Sequence, residues 1–211
     1  MRRRYRKRGT GLAKKAYRIA KRNSRRVQGE TKIVNTTVAQ QITQTVGNVT
    51  FLCSLGQGTA DIARIGDDVR ATSLTCKFHL EQSTDDPTAV TRIMIFRLMD
   101  DVDQNVTPPT MHGTAATDIL EDATPLSNID WVNRKKYKII YSELFAGNAD
   151  SVENWVWERH FKLRGAGIHF KGTVGNQGGK GSLFLGMFTD GAATANNPTL
   201  TARIRLKFSD S

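Results

Sequence analysis

A chain of 211 residues carries 31 lysines and arginines against 20 acidic residues, and 13 of those cations stand between Arg2 and Arg26, where there is no acid. From Val27 to Ser211 the count is 31 − 13 = 18 cations against 20 acids, a net of −2, so the overall +11 belongs to an N-terminal arm on a near-neutral body. That division excludes a uniformly basic globular domain. No run reaches the ~18 to 20 apolar residues of a membrane helix, and the charged N-terminus contains no apolar stretch of a secretory signal.

The arm, residues 1–30, reads in two parts. Residues 2–8 repel one another and offer little apolar surface, so they are expected to be disordered in isolation. From about Gly11 to Arg26 the spacing of Leu12, Ala16, Ile19 and Ala20 predicts a weak amphipathic helix. Like charges at i, i+4, Lys14 with Arg18 and Arg18 with Arg22, weaken it, and helices of this length are marginal in water. It is expected to form where a polyanion neutralises it.

The remainder, 31–211, reads as one all-β domain punctuated by Gly, Pro, Asn and Asp. Polar strands are expected near Ile33 to Val46 and Val49 to Leu55. A clean alternation follows, with Leu74, Cys76, Phe78 and Leu80 on one face and Thr75, Lys77, His79 and Glu81 on the other. Further strands are predicted at 92–99, 138–145, 155–163, 167–171, 182–189 and 200–208. Eight or nine strands with long connections imply a two-sheet sandwich. The longest connection, about 100–134, contains the only plausible helix of the body, around Ala115 to Glu121. Cys76 lies on the apolar side of its strand, which predicts a buried free thiol rather than a disulfide with Cys53. The sequons at Asn35, Asn48 and Asn105 read as chance.

No catalytic constellation emerges. His79, His112, His160 and His169 share no metal-ligand spacing with one another or with the cysteines, although His160 and His169 lie on neighbouring predicted strands and could meet. The glycine-rich Gly175–Ser182 lacks the spacing of a phosphate loop and reads as a hairpin connection. Asp67-Asp68, Asp85-Asp86 and Asp100-Asp101 with Asp103 lack the EF-hand spacing; no cofactor is expected, and a calcium site shared between copies stays open.

The arm's chemistry is that of a polyanion binder. Arg2, Arg3, Arg4, Arg6, Lys7, Arg8, Lys14, Lys15, Arg18, Lys21, Arg22, Arg25 and Arg26 are the candidate nucleic-acid-binding residues. Cations that neutralise phosphates release condensed counterions, which gives tight, salt-dependent and sequence-tolerant binding. Tyr5 and Tyr17 alone offer stacking platforms there. In the body, Arg203, Arg205 and Lys207, or Arg134, Lys135, Lys136 and Lys138, either extend the arm's binding surface or guard strand edges.

Arg64-Ile-Gly-Asp-Asp-Val-Arg70 leads into the strand at Ser73–Leu80. The strand ending in Met99-Asp100-Asp101 comes next, then Thr107-Pro-Pro-Thr110, Ile119-Leu120 and Lys135-Lys-Tyr-Lys138. This order resembles coat proteins of the satellite tobacco necrosis virus type. It also resembles capsids of circular Rep-encoding single-stranded DNA (CRESS-DNA) viruses, to which Leu200–Phe208 is the closer. The resemblance implies an eight-stranded antiparallel jelly roll without catalysis, self-assembling into a T=1 shell of about 60 copies whose arms face a single-stranded genome. DNA is favoured over RNA, and the virion, with the host nucleus during assembly, is the expected location. Sixty arms would supply roughly 13 × 60 ≈ 780 charges, on the scale of a genome of about a kilobase. The other reading is a non-capsid nucleic-acid-binding protein with a β-sandwich body.

Overall fold

Alternation of apolar and polar residues dictates most of what is seen. In β8 (Thr199–Asp210), Leu200, Ala202, Ile204, Leu206 and Phe208 are buried while Thr201, Arg203, Arg205 and Lys207 are exposed. β3 (Asp68–Glu81) repeats the pattern with Leu74, Cys76, Phe78 and Leu80 inward. The computed structural model describes residues 11, 15, 16, 31–60, 62–100, 109–114, 116–150, 153–172, 178–191 and 196–210. Among them run eight strands: β1 (Thr31–Gln41), β2 (Asn48–Phe51), β3, β4 (Val90–Leu98), β5 (Tyr137–Ala146), β6 (Asn154–His169), β7 (Leu183–Thr189) and β8.

The pairing is antiparallel throughout and forms two four-stranded sheets, β1-β8-β3-β6 and β2-β7-β4-β5. First strand pairs with last, second with seventh, third with sixth and fourth with fifth. This is a long hairpin rolled on itself, the jelly roll, as the resemblance implied. Between the sheets lies the main core, which includes Leu74, Phe78, Ile93, Ile95, Leu185, Ile204 and Leu206.

A second core covers the far side of β2-β7-β4-β5. There Met94, Phe96, Leu98, Phe184 and Phe188 meet Met111, Ile119, Leu120 and Tyr137. The Phe96 and Phe184 rings stack at 5.4 Å, with Tyr137 edge-on to Phe96 at 5.6 Å. Burial on both faces explains why β7 reads Leu-Phe-Leu-Gly-Met-Phe-Thr, buried at every position. Gly186 leaves room for the cover, since a Cβ there would stand 2.5 Å from the Met111 sulfur and 3.1 Å from the Phe96 ring and would push both aside.

The connection that makes this cover differs from its predicted form. No helix runs through 116–121; turns and two bridges, Thr110↔Asp118 and Leu120↔Ile129, stand there instead. The backbone donors that a helix would use internally are drawn across the chain: Ile119 N–H donates to Thr110 O (3.0 Å) and Leu120 N–H to Met111 O (3.0 Å). The buried Asp118 carboxylate accepts from Thr110 Oγ1 and from the Gly113 and Thr114 amides, fixing an Asx-type loop that competes with helix.

The two strands expected at 155–163 and 167–171 are one, β6, of 16 residues. A register shift against Ala71/Ser73, with Arg164 at φ 53° and Gly165 at φ 74°, absorbs the irregular Arg-Gly-Ala-Gly stretch as a bulge. β1 ends at Gln41 and β2 at Phe51, both earlier than predicted. Thr45 and Gly47, at φ 70° and 69°, turn the chain between them. Cys53 and Cys76 are both buried and free, as predicted for Cys76.

The Arg64-Ile-Gly-Asp67 motif has a structural explanation. Arg64 is fully buried. Its guanidinium donates to the carbonyls of Leu55, Gly66 and Gly172 and to Asp67 Oδ1, and stacks 4.3 Å from the Phe170 ring centroid. One side chain thus ties the β2–β3 connection to the β6–β7 connection, with its donors satisfied as a buried cation demands.

Candidate nucleic-acid interface

Among the described residues the outer face of β1-β8-β3-β6 carries no second cover. Register brings its side chains into rows across the strands: Ile33, Lys207, Ser73 and Lys162; then Asn35, Arg205, Thr75 and His160; then Thr37, Arg203, Lys77 and Glu158. Two further rows are Ala39, Thr201, His79 and Val156, and Gln41, Thr199, Glu81 and Asn154. These positions hold the cations Lys77, Lys162, Arg203, Arg205 and Lys207 and the acids Glu81 and Glu158, a net of 5 − 2 = +3. No phenylalanine, tyrosine or tryptophan is among them.

An open groove of about 630 Å³ runs along this face, lined by Asn35, Thr37, Thr75, Arg203, Arg205 and Lys207 beside Lys77 and Glu158. Polar contacts hold two of the cations, Arg205 by a neutral partner and Lys77 by an acid. Arg205 Nε donates to Asn35 Oδ1 at 3.1 Å, and His160 Nδ1 shares a 2.9 Å hydrogen bond with Thr75 Oγ1. Lys77 reaches Glu158 at 3.6 Å. Arg203 stands directly opposite Lys77, a like-charge cross-strand pair that costs stability unless an anion bridges it.

Of the two readings of Arg203, Arg205 and Lys207, edge protection fails. β8 is an interior strand, paired on both sides by β1 and β3, and has no edge to guard. Lys77 and Lys162, which complete the cationic face, lie on strands read from sequence only as half-buried; their juxtaposition depends on non-local register. The second basic group, Arg134, Lys135, Lys136 and Lys138, belongs to the turn before β5 and to β5, an edge strand of the other sheet. It is not brought together with the β8 cations.

In the arm, Gly11, Lys15 and Ala16 are helical and exposed. The other proposed phosphate contacts, Arg2, Arg3, Arg4, Arg6, Lys7, Arg8, Lys14, Arg18, Lys21, Arg22, Arg25 and Arg26, lie outside the described residues, as do Asp101, Asp103 and residues 175–177 of the glycine-rich stretch. That stretch links the two sheets rather than closing a hairpin within one, since β6 and β7 belong to different sheets; Gly178 bridges to Phe170.

His160 and His169 do not meet. They lie on the same strand, nine positions or ~30 Å apart, and His169 pairs with Asp68 at 3.0 Å. Among the described residues no group of three or more His, Cys, Asp or Glu could hold a metal, and no helix is long and apolar enough to cross a membrane. Burial pushes the Cys53 and Cys76 thiols up to about 12, so neither is a nucleophile at neutral pH.

No family model matches this chain, and no curated protein does. Among solved structures, the chain is similar to Desmodium yellow mottle tymovirus, with 10% identity and a TM-score of 0.37 over 86% of this chain and 88% of that one. It is similar to the decameric BFDV capsid protein, with 9% identity and a TM-score of 0.37 over 85% and 96%. Tobacco streak virus coat protein is similar at 11% identity, with a TM-score of 0.31 over 83% and 86%.

Proposed function

We propose that this chain is a capsid protein that closes into a T=1 shell and packages a single-stranded genome, DNA in preference to RNA. In this reading residues 1–30 are the packaging arm, residues 31–211 the shell domain, and the virion the place of action, with the basic run 2–8 also serving import into the host nucleus.

The observation that supports the reading is that the strand following the arm in sequence belongs to the sheet with the open cationic face. The arm leads directly into β1, the edge strand of the sheet whose open face holds Lys77, Lys162, Arg203, Arg205 and Lys207. In this reading arm and sheet face serve as one polyanion surface, and the rest of residues 31–211 is net negative, with 18 − 5 = 13 cations against 19 − 2 = 17 acids. The face lacks aromatic platforms, so it contacts phosphates rather than bases, and packaging is sequence-tolerant. No step of bond-making chemistry is assigned to it.

The test is electron microscopy of the purified full chain, with the 260/280 nm absorbance ratio recorded on the same sample. Uniform spherical particles with nucleic-acid absorbance, and particles of protein-like absorbance after deletion of residues 2–26, are the expected results. A monomer that binds nucleic acid at every concentration and never closes would overturn the shell; full packaging by the truncated chain would overturn the arm's role. DNase and RNase treatment of the contents identifies the polymer.

A further inference from the structure

The geometry points to the β5–β6 edge as a two-fold interface between copies of this chain. The inference rests on the self-assembly part of the proposed function and says where two copies meet.

Both sheets end here. Among the described residues β5 pairs with β4 and β6 with β3, so their outer edges run side by side along the mouth of the sandwich. Between them Phe145 packs on Trp155 and Trp157 at 5.5 and 4.5 Å, and Tyr141 packs on Phe161 at 5.8 Å. Tyr141, Trp155, Trp157 and Phe161 are only half-buried, and neighbouring Val156 is 78% exposed. The strip has a partial polar cap of its own: Trp157 Nε1 donates to Tyr141 Oη (2.9 Å), Tyr141 Oη to Glu143, and Arg159 to Glu143 (3.2 Å). At the opposite mouth, between β1 and β2, Gln40 donates to Thr50 Oγ1 at 3.2 Å, and no comparable aromatic ladder stands there among the described residues. Natural sheets blunt or cover such edges; this one is left with aromatic area to bury.

Charge says what covers it. Residues 131–138, at the start of β5, hold Arg134, Lys135, Lys136 and Lys138 and no acid. Residues 139–158, from β5 into β6, hold Glu143, Asp150, Glu153 and Glu158 and no cation. Glu143 and Glu158 are engaged by Arg159 and Lys77, which leaves exposed Asp150 and half-exposed Glu153 as the acids at the far end of the strand. Lys135 and Lys138 are exposed at the near end. The edge is therefore positive at one end and negative at the other. A second copy rotated by 180° lies antiparallel along it, sets each positive end against the partner's negative end, and stacks the two aromatic strips. A two-fold contact requires this reciprocity, residue i meeting j and j meeting i.

Reversing one end should repel and reversing both should restore. Lys135→Glu/Lys138→Glu and Asp150→Lys/Glu153→Lys are each expected to weaken self-association about tenfold or more at low salt. An equimolar mixture of the two variants, or one chain bearing all four changes, is expected to recover it. Sedimentation and particle counts by microscopy read the effect, and circular dichroism confirms that each variant is folded. Self-association unchanged by either reversal, or lost in both and not recovered in the mixture, overturns the interface. A wild-type chain that never self-associates overturns the shell itself, whereas normal shells from both single-end variants overturn only this contact.

Discussion

Sheet β2-β7-β4-β5 is packed on both faces, whereas β1-β8-β3-β6 is packed on one and leaves the other to solvent and charge. The two were built from the same strand physics, and the difference lies in what the connections supply. A long segment between β4 and β5 lays Met111, Ile119 and Leu120 over the first sheet; nothing comparable crosses the second among the described residues. One sheet is thus committed to stability, and the other is free to present Arg203, Arg205 and Lys207 in a row. Under the proposed function, stability and recognition fall on opposite sides of the sandwich.

The sharpest way to break this comparison is to excavate the covered sheet. Phe184, buried, stacked on Phe96 and tilted against Phe51, should cost about 3–5 kcal/mol on replacement by alanine, read from urea unfolding. A loss under about 1 kcal/mol would mean that the second core is not a packed layer.

A smaller effect comes from alkaline pH. The Cys53 and Cys76 thiols are raised from 9.0 to about 12 by burial, so above pH 9 the unfolded chain loses protons that the folded chain keeps. Stability present below pH 9 should fall as pH rises toward 12, by ~1.4 kcal/mol per pH unit per thiol once the unfolded thiols ionise. Burial also raises the Tyr137 and Tyr141 hydroxyls, which adds a decline of the same sign above pH 10. Urea midpoints at pH 8, 9 and 10 check it, and a Cys53→Ala/Cys76→Ala chain should flatten the slope between pH 9 and 10.

The smallest effect on stability is expected on the open sheet. Arg203→Gln, Arg205→Gln and Lys207→Gln together should change folding stability by no more than about 0.5 kcal/mol per site. Their effect belongs to binding: the slope of log affinity for single-stranded DNA against log salt should shrink by about 0.7 per cation removed. Unfolding by the triple variant, or an unchanged salt slope, would dissolve the distinction between the two sheets.

How much of this was legible in the sequence depends on whether the cause was local. Alternation in β3 and β8 is a property of neighbours, and both strands stand where the period of two put them. The arm's charge was equally plain, being a matter of counting. The connection over the second core was not, because Asp118 and the cross-chain donors of Ile119 and Leu120 replace periodicity with specific hydrogen bonds. A short helix-like stretch is the natural misreading. β6 was split in two because Arg164-Gly165 breaks the alternation, while its pairing to β3, set elsewhere in the chain, carries the strand through the bulge. Arg203, Arg205 and Lys207 were visible as a cationic row, yet only the placement of β8 between β1 and β3 separates recognition from edge protection. Lys77 and Lys162 join them through register alone.

The closure of β1 on β8 also bears on the order in which the molecule comes into being. Thr31 pairs with Ser209, 209 − 31 = 178 positions later, and Gln41 with Thr199, 199 − 41 = 158 later. Among the described residues β1 pairs with β8 alone, so this ladder of the arm-bearing strand waits until the last strand has been made. Contacts of such separation place a domain among slow folders, on the order of milliseconds to seconds. The sheet that displays the charge therefore cannot be complete before β8 has been made. A growing chain does not carry the finished cationic face, and the full polyanion surface exists only on a molecule whose fold has closed.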